Sequence, residues 1–179
     1  MTLYLIRHGK TAANQQGCYC GSTDLPLSQQ GREELQNKRY DISDVRFLTS
    51  GMRRANETME LLFDGVDYEI DPRFREVDFG VFEMHTYEEL KDEPAYQAWI
   101  TGDNETNIPP QGESGAQMKA RVLEALSELT DDACLITHGG VIAAIMAHIF
   151  PQEEKSRYDW QPQNGEGYVI EKGRYRAIK

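Results

Sequence analysis

Three cysteines in 179 residues, Cys18, Cys20 and Cys134, are too few and of the wrong parity for a disulfide framework. Cys18-Tyr19-Cys20 is not a CxxC pair, and the four histidines form no HExxH spacing, so the sequence carries no metal motif. Basic residues are also scarce. Nineteen Lys and Arg against 30 Asp and Glu leave a formal net charge of −11. A nucleic-acid binder draws most of its affinity from neutralising phosphates with a basic surface, which such a chain does not offer. Long apolar runs are missing too. The longest, 141–150, contains His148 and falls well short of the roughly 20 residues that a membrane span requires. The opening MTLYLIRHGK places its charges after the apolar stretch, the reverse of a signal peptide. No repeat, low-complexity tract or flexible linker divides the chain. These absences predict a cytoplasmic protein with reduced thiols, no bound metal or cofactor, and neither nucleic acid nor membrane as partner.

What is present is a globular composition, 39% hydrophobic and 27% charged, at a length suited to one domain over 1–179. Unbroken apolar runs at 3–6, 45–48 and 133–136 read as strands covered on both faces. Ser28 caps a helix predicted to reach about Arg39, and 55–63 reads as helical. Ser114 followed by Gln117 makes a capping box ahead of Val122, Leu126 and Leu129 on one face. The run 141–150 is apolar nearly all round and stops at Pro151, which predicts a buried helix. Near the end, 168–170 and 175–178 flank a turn at Lys172-Gly173, the pattern of a hairpin. Strands alternating with helices predict an α/β three-layer sandwich, a mostly parallel sheet with helices on both faces.

In such sheets the chemistry gathers where strands run out into loops at their carboxyl ends. Arg7-His8-Gly9 follows the first strand, with Asn14 a short step beyond; Ser50-Gly51-Met52-Arg53-Arg54 follows the second; Thr137-His138-Gly139-Gly140 follows a later one. Two histidines and at least two arginines therefore occupy loops that can converge. Phosphoryl transfer suits this set. A neutral imidazole is a competent nucleophile at pH 7, guanidinium forks engage phosphate oxygens in pairs, and glycines at a helix start leave backbone N–H groups open to an anion. Departure of the leaving group needs a proton donor, which a partly buried carboxylic acid can supply. Each fragment alone has a plainer reading: a hydrogen-bonded loop histidine, a solvated arginine pair, a tight strand-to-helix turn. His148 reads as structural and His85 as peripheral.

Together the fragments resemble the histidine phosphatase superfamily, in its phosphoglycerate mutase-like branch. Arg7-His8-Gly9-Lys10-Thr11-Ala12-Ala13-Asn14 is similar to its R-H-G-x-T-x-x-N signature, and Asp24-Leu25-Pro26-Leu27-Ser28-Gln29-Gln30-Gly31 to its D-x-P-L-[ST]-x-x-G segment. Ser50 to Thr58, Arg75 to Gly80, Gly112-Glu113-Ser114 and Thr137 to Gly140 resemble the remaining four motifs in the family's order. The resemblance implies His8 as nucleophile, Arg7, Arg54 and His138 as holders of the phosphoryl group, Glu76 as proton donor and then base, and Asn14 and Gly139 as further substrate contacts. It selects Arg54 over Arg53, because the arginine directly precedes Ala55. Two positions depart from the pattern: Gly51 stands where proline is usual, and Lys10 where Glu or Gln is common.

Phe79-Gly80-Val81-Phe82-Glu83-Met84 resembles the F-G-x-W-E-M of α-ribazole phosphatases, with Phe82 in the tryptophan position. The resemblance implies hydrolysis of a small phosphomonoester, with α-ribazole 5′-phosphate as the named candidate. A mutase-like isomerase, a broad-specificity phosphatase and a non-catalytic phosphate-binding module stand as alternatives. Met84, Tyr87, Trp99 and the 18–23 loop are the candidates for contact with the organic part of the substrate. Oligomeric state is not legible in the sequence.

Overall fold

Two alternating sets of side chains on the first strand and on the fourth decide the architecture, because each set is buried against a different layer. In the computed structural model, which describes residues 1–103 and 105–179, the strands are β1 (Thr2–Arg7), β2 (Arg46–Thr49), β3 (Glu69–Ile70), β4 (Ala133–Thr137), β5 (Gly167–Glu171) and β6 (Arg174–Ile178). The helices are α1 (Ala12–Gln16), α2 (Gln29–Gln36), α3 (Arg53–Leu62), α4 (Tyr87–Leu90), α5 (Pro94–Ile100), α6 (Gly115–Ser127), α7 (Gly139–Ile149) and α8 (Arg157–Trp160). Leu3, Leu5 and Leu135 pack with Val122 of α6 and Ile142 and Met146 of α7. On the other face Ile6, Cys134 and Ile136 pack with Ala55 and Met59 of α3. Period-two alternation along a strand covered on both sides gives this double core.

The six strands form one sheet in the order β3-β2-β4-β1-β5-β6. The β1–β4, β2–β4 and β2–β3 pairs are parallel, while β5 and β6 continue the sheet antiparallel. The expected α/β sandwich with a mostly parallel sheet is therefore the observed one. The hairpin turn is where it was expected, with Lys172 and Gly173 both at positive φ, as a two-residue hairpin loop demands. Helix limits shift modestly. The Ser28-capped helix ends at Gln36, three residues before the expected limit, and the helix expected over 55–63 begins at Arg53. Ser114 and Gln117 form the capping box on α6.

Register places the site. Arg7 lies opposite Thr137 in the parallel β1–β4 pair, and Thr49 lies opposite Ile136 in β2–β4. The residues that follow, His8, Ser50 and His138, therefore leave the sheet side by side at its carboxyl edge. The His8 N–H bonds the Thr137 carbonyl at 2.9 Å, which extends the ladder one step past the strand.

Candidate active site

The His8 and His138 ring centroids are 5.2 Å apart, with planes inclined by 58°. His8 keeps 5% of its surface exposed, His138 none and Arg54 1%. The His8 Nδ1 lies 2.6 Å from the Gly9 carbonyl oxygen, and a carbonyl can only accept. Nδ1 therefore carries the hydrogen, and Nε2 keeps its lone pair. The His8 loop is anchored from α3, where the Gly9 N–H donates to Thr58 Oγ1 at 2.9 Å and that hydroxyl donates to the Arg54 carbonyl at 2.6 Å.

Arg54 sits in the first turn of α3 with its guanidinium turned inward, donating to the carbonyls of Thr23 and Gly21 at 2.8 Å each. Arg53 is exposed, its backbone N–H bound to Asp24. Arg7, the last residue of β1, donates through Nη1 to the Pro162 carbonyl at 2.9 Å, and its Nε is buried with no partner among the described residues. Burial lowers the Arg7 pKa from its usual value; neighbouring Glu76 opposes that shift and Arg54 adds to it. His138 caps α7. Its Nε2 is 2.8 Å from Ser50 Oγ, and its Nδ1 is buried without a partner among the described residues. A donor N–H buried without an acceptor is rare in folded proteins because desolvating it is unfavourable. Arg7 Nε is one such donor, and His138 Nδ1 becomes a second when Ser50 donates its hydroxyl hydrogen to Nε2.

Glu76 approaches from the irregular stretch after the short turn Pro72–Phe74. Its Oε2 accepts the Gly140 N–H at 2.9 Å and its Oε1 the Val77 N–H at 3.0 Å. A Cβ on Gly140 would overlap Oε1, so this approach requires glycine there. A Cβ on Gly139 would press instead against Arg7 and Gln161. Arg121 of α6 holds the Glu76 stretch in place, donating to the carbonyls of Arg73, Arg75 and Glu76 and to the Glu113 carboxylate. Asn14 lies in α1, its Oδ1 accepting the Thr11 N–H at 3.0 Å, so that its amide nitrogen is not needed for the cap.

A cavity of about 430 Å³ adjoins this cluster, with Arg7, Asn14, Glu76 and Gly140 in its wall; His8, Arg54, His138 and Gly139 do not line it. Farther out the wall is aromatic, from Tyr19, Phe79 and Trp99, with Lys119 and Arg157 as additional cations. Cys18 and Cys20 share that wall. Met84 and Tyr87, singled out from the sequence, do not; Met84 turns at φ 63° and Tyr87 is 52% exposed. Ser50, Arg121, Lys119 and Arg157 have places at the site that the sequence alone does not announce. Of the two departures, Lys10 is paired with Glu34 at 2.9 Å and does not reach the cavity wall. Gly51 sits at φ 83°, which a proline ring cannot adopt. His85 is exposed and paired with Glu89, and His148 is exposed in the last turn of α7. Among the described residues no group of three or more His, Cys, Asp or Glu side chains is placed to hold a metal, and no helix is long and apolar enough to cross a membrane.

Both histidines are held well below the ordinary imidazole pKa. For His8 burial is the main cause, followed by Arg54 and Arg7, with the bond to the Gly9 carbonyl acting the other way. For His138 burial again leads, followed by Arg54, His8, Arg7 and Arg121. A protonated His138 is thus disfavoured, although a neutral ring still donates through one N–H. Stability must follow pH accordingly. Below about pH 6.5 an unfolded chain protonates these histidines and the native one does not, so stability falls as pH drops through that region. In His138→Gln the loss of stability between about pH 6.5 and 5 should be shallower than in the wild type, by up to about 1.4 kcal/mol per pH unit. Denaturant titrations at stepped pH check this; identical slopes would mean that His138 is not buried neutral.

Known proteins share the sequence pattern and the fold of this chain. A sequence model of the histidine phosphatase superfamily, branch 1, matches residues 3–177. The adenosylcobalamin/alpha-ribazole phosphatase of Escherichia coli K12 is 30% identical over 177 residues, covering 92% of this chain and 87% of that protein. A protein of Enterobacter sp. strain 638 assigned as phosphoglycerate mutase GpmB is 27% identical, covering 83% of this chain and 74% of its own. Among solved structures, an Escherichia coli protein assigned as an alpha-ribazole-5′-P phosphatase superposes with a TM-score of 0.85 at 27% identity, covering 99% of this chain and 94% of its own. Phosphoglycerate mutase from Thermus thermophilus superposes at 0.79 with 29% identity, covering 100% and 97%.

Proposed function

We propose, from the premise that this chain belongs to the histidine phosphatase superfamily, that it hydrolyses a small phosphomonoester through a phosphohistidine at His8. The observation that carries the reading is the pair of buried side-chain nitrogens without partners among the described residues, Arg7 Nε and His138 Nδ1, beside an imidazole whose Nε2 is unprotonated. A phosphoryl group entering among Arg7, Arg54 and His138 gives those donors their acceptors, and it brings negative charge to a ring of cations within a protein of net charge −11. His8 Nε2 then attacks phosphorus. The N–P bond forms as the ester P–O bond breaks, and protonated Glu76 passes its proton to the leaving oxygen. In the second half Glu76, now a carboxylate, takes a proton from water as that water attacks phosphorus. The N–P bond breaks, releasing orthophosphate with Glu76 protonated again. Asn14 and Gly139 stand as further contacts to the bound phosphoryl group.

The cavity favours a substrate with a bulky organic part. Its volume of about 430 Å³ lies within the range of small-molecule sites, and its aromatic wall suits a flat ring. With the relatives named for alpha-ribazole phosphate, this supports α-ribazole 5′-phosphate as the substrate. The relatives named as phosphoglycerate mutases keep isomerisation as the second reading. A panel including α-ribazole 5′-phosphate and 3-phosphoglycerate, ranked by kcat/KM with product analysis, tests both. The expected result is release of orthophosphate, fastest from the α-ribazole ester; isomerisation of 3-phosphoglycerate without phosphate release would favour the mutase.

A further inference from the structure

The six residues Phe79 to Met84 contain a carboxylate that the chemistry above does not use. Glu83 is half-buried and faces the 21–23 loop rather than the cavity. Its two oxygens accept the Gly21 N–H at 3.0 Å each, and Oε1 accepts the Ser22 N–H at 2.7 Å and the Ser22 hydroxyl at 3.0 Å. Oε2 accepts the Thr23 hydroxyl at 3.1 Å, and Oε1 also meets the Phe79 N–H at 3.3 Å. One side chain thus collects the donors of three consecutive residues. The carbonyls of that same stretch, at Gly21 and Thr23, are the acceptors that seat the Arg54 guanidinium. The loop is also fitted tightly behind: a Cβ on Gly21 would run into the Val77 carbonyl, so the loop has little room to shift toward the Glu76 stretch.

We propose that Glu83 is a positioning residue for the phosphate clamp, holding the 21–23 loop by its N–H groups so that its carbonyls hold Arg54. The proposal rests on the reading of Arg54 as a phosphate ligand. Arginine is long and flexible, and a guanidinium tied by two carbonyls meets an incoming phosphate without first losing its rotamer freedom. Without Glu83 the loop amides lose their acceptor, the carbonyls drift, and Arg54 has to be ordered by the substrate. Binding of the phosphoryl group weakens, while proton donation from Glu76 stays as it was.

Glu83→Met, similar in length and unable to accept these bonds, tests the idea through orthophosphate binding measured by calorimetry. The expected result is a Kd raised about tenfold or more, with KM raised alike for p-nitrophenyl phosphate and for an alkyl phosphate, so that the ratio of the two substrates' rates is unchanged. Glu83→Gln should restore binding to within about threefold, because its carbonyl can take the Oε1 donors while its amide donates to the Thr23 hydroxyl. A folded Glu83→Met with wild-type orthophosphate affinity would overturn the proposal. Should that variant not fold, Glu83→Asp, which keeps the charge but falls one methylene short, serves instead, and wild-type affinity there would overturn it equally. Wild-type protein that neither bound orthophosphate nor cleaved any phosphomonoester would remove the reading of Arg54 as well.

Discussion

His8→Ala should lower kcat/KM for every phosphomonoester by on the order of 10⁵-fold or more, leaving the fold intact. The magnitude follows from what remains. Arg7, Arg54 and His138 would still gather the phosphoryl group, so orthophosphate should bind the variant with an affinity near that of the wild type. With Ser50 donating to the Nε2 of His138, no other side chain of the cluster offers phosphorus a free nitrogen lone pair: the guanidiniums carry none for attack, and His138 Nδ1 then holds the hydrogen. Stability should change little, because the imidazole makes one side-chain hydrogen bond, to the Gly9 carbonyl, and sits desolvated among cations. A shift in Tm of a few degrees, about 1–2 kcal/mol, is expected by calorimetry. Turnover within about a hundredfold of the wild type in folded His8→Ala would assign the nucleophile elsewhere.

The second large effect is selective. Glu76→Gln should lower kcat/KM for an alkyl phosphate by about 10²–10⁴-fold, the contribution typical of a positioned general acid, and kcat/KM for p-nitrophenyl phosphate far less. A nitrophenolate leaves without help, so its phosphorylation step bypasses the acid, whereas an alkoxide does not. Glutamine can retain one of the two backbone N–H bonds that Glu76 accepts, from Val77 or from Gly140, so the side chain should stay near its place while losing the proton. Steady-state kinetics on the two substrates checks this. Equal losses of kcat/KM on both would point to a positional role, because that ratio ends at phosphorylation, before Glu76 acts as base; no change in kcat or kcat/KM on either would remove Glu76 from the chemistry.

The sequence shows the sheet and the histidines well because both are written locally. Residues 3–6 and 133–136 are apolar without a break since both faces of those strands are covered, and the motif residues follow each strand directly. β3 is invisible because its two residues, Glu69 and Ile70, are both exposed and pair over a single step. The short helices α1, α4 and α8 carry capping boxes at Thr11, Thr86 and Ser156, signals that local reading can use but that a search for periodicity passes over. The supports of the site are of another kind. Ser50 meets His138 across 88 residues, and Arg121 reaches back 45 to Glu76. No spacing in the chain announces such contacts, since they exist only once β2, β4 and α6 are packed. Met84 is a natural candidate for the cavity by position alone, but the turn through Gly80–Phe82 and its own left-handed backbone place Phe79 in the wall instead.

The central claim is that phosphate passes through one imidazole. Rapid quench into alkali after brief exposure to ³²P-labelled substrate, followed by peptide mapping, tests it most directly. An acid-labile, alkali-stable label is expected on the peptide that contains His8, absent from His8→Ala. Label on a different residue, or burst-free turnover with no protein-bound phosphate at any quench time, would contradict it.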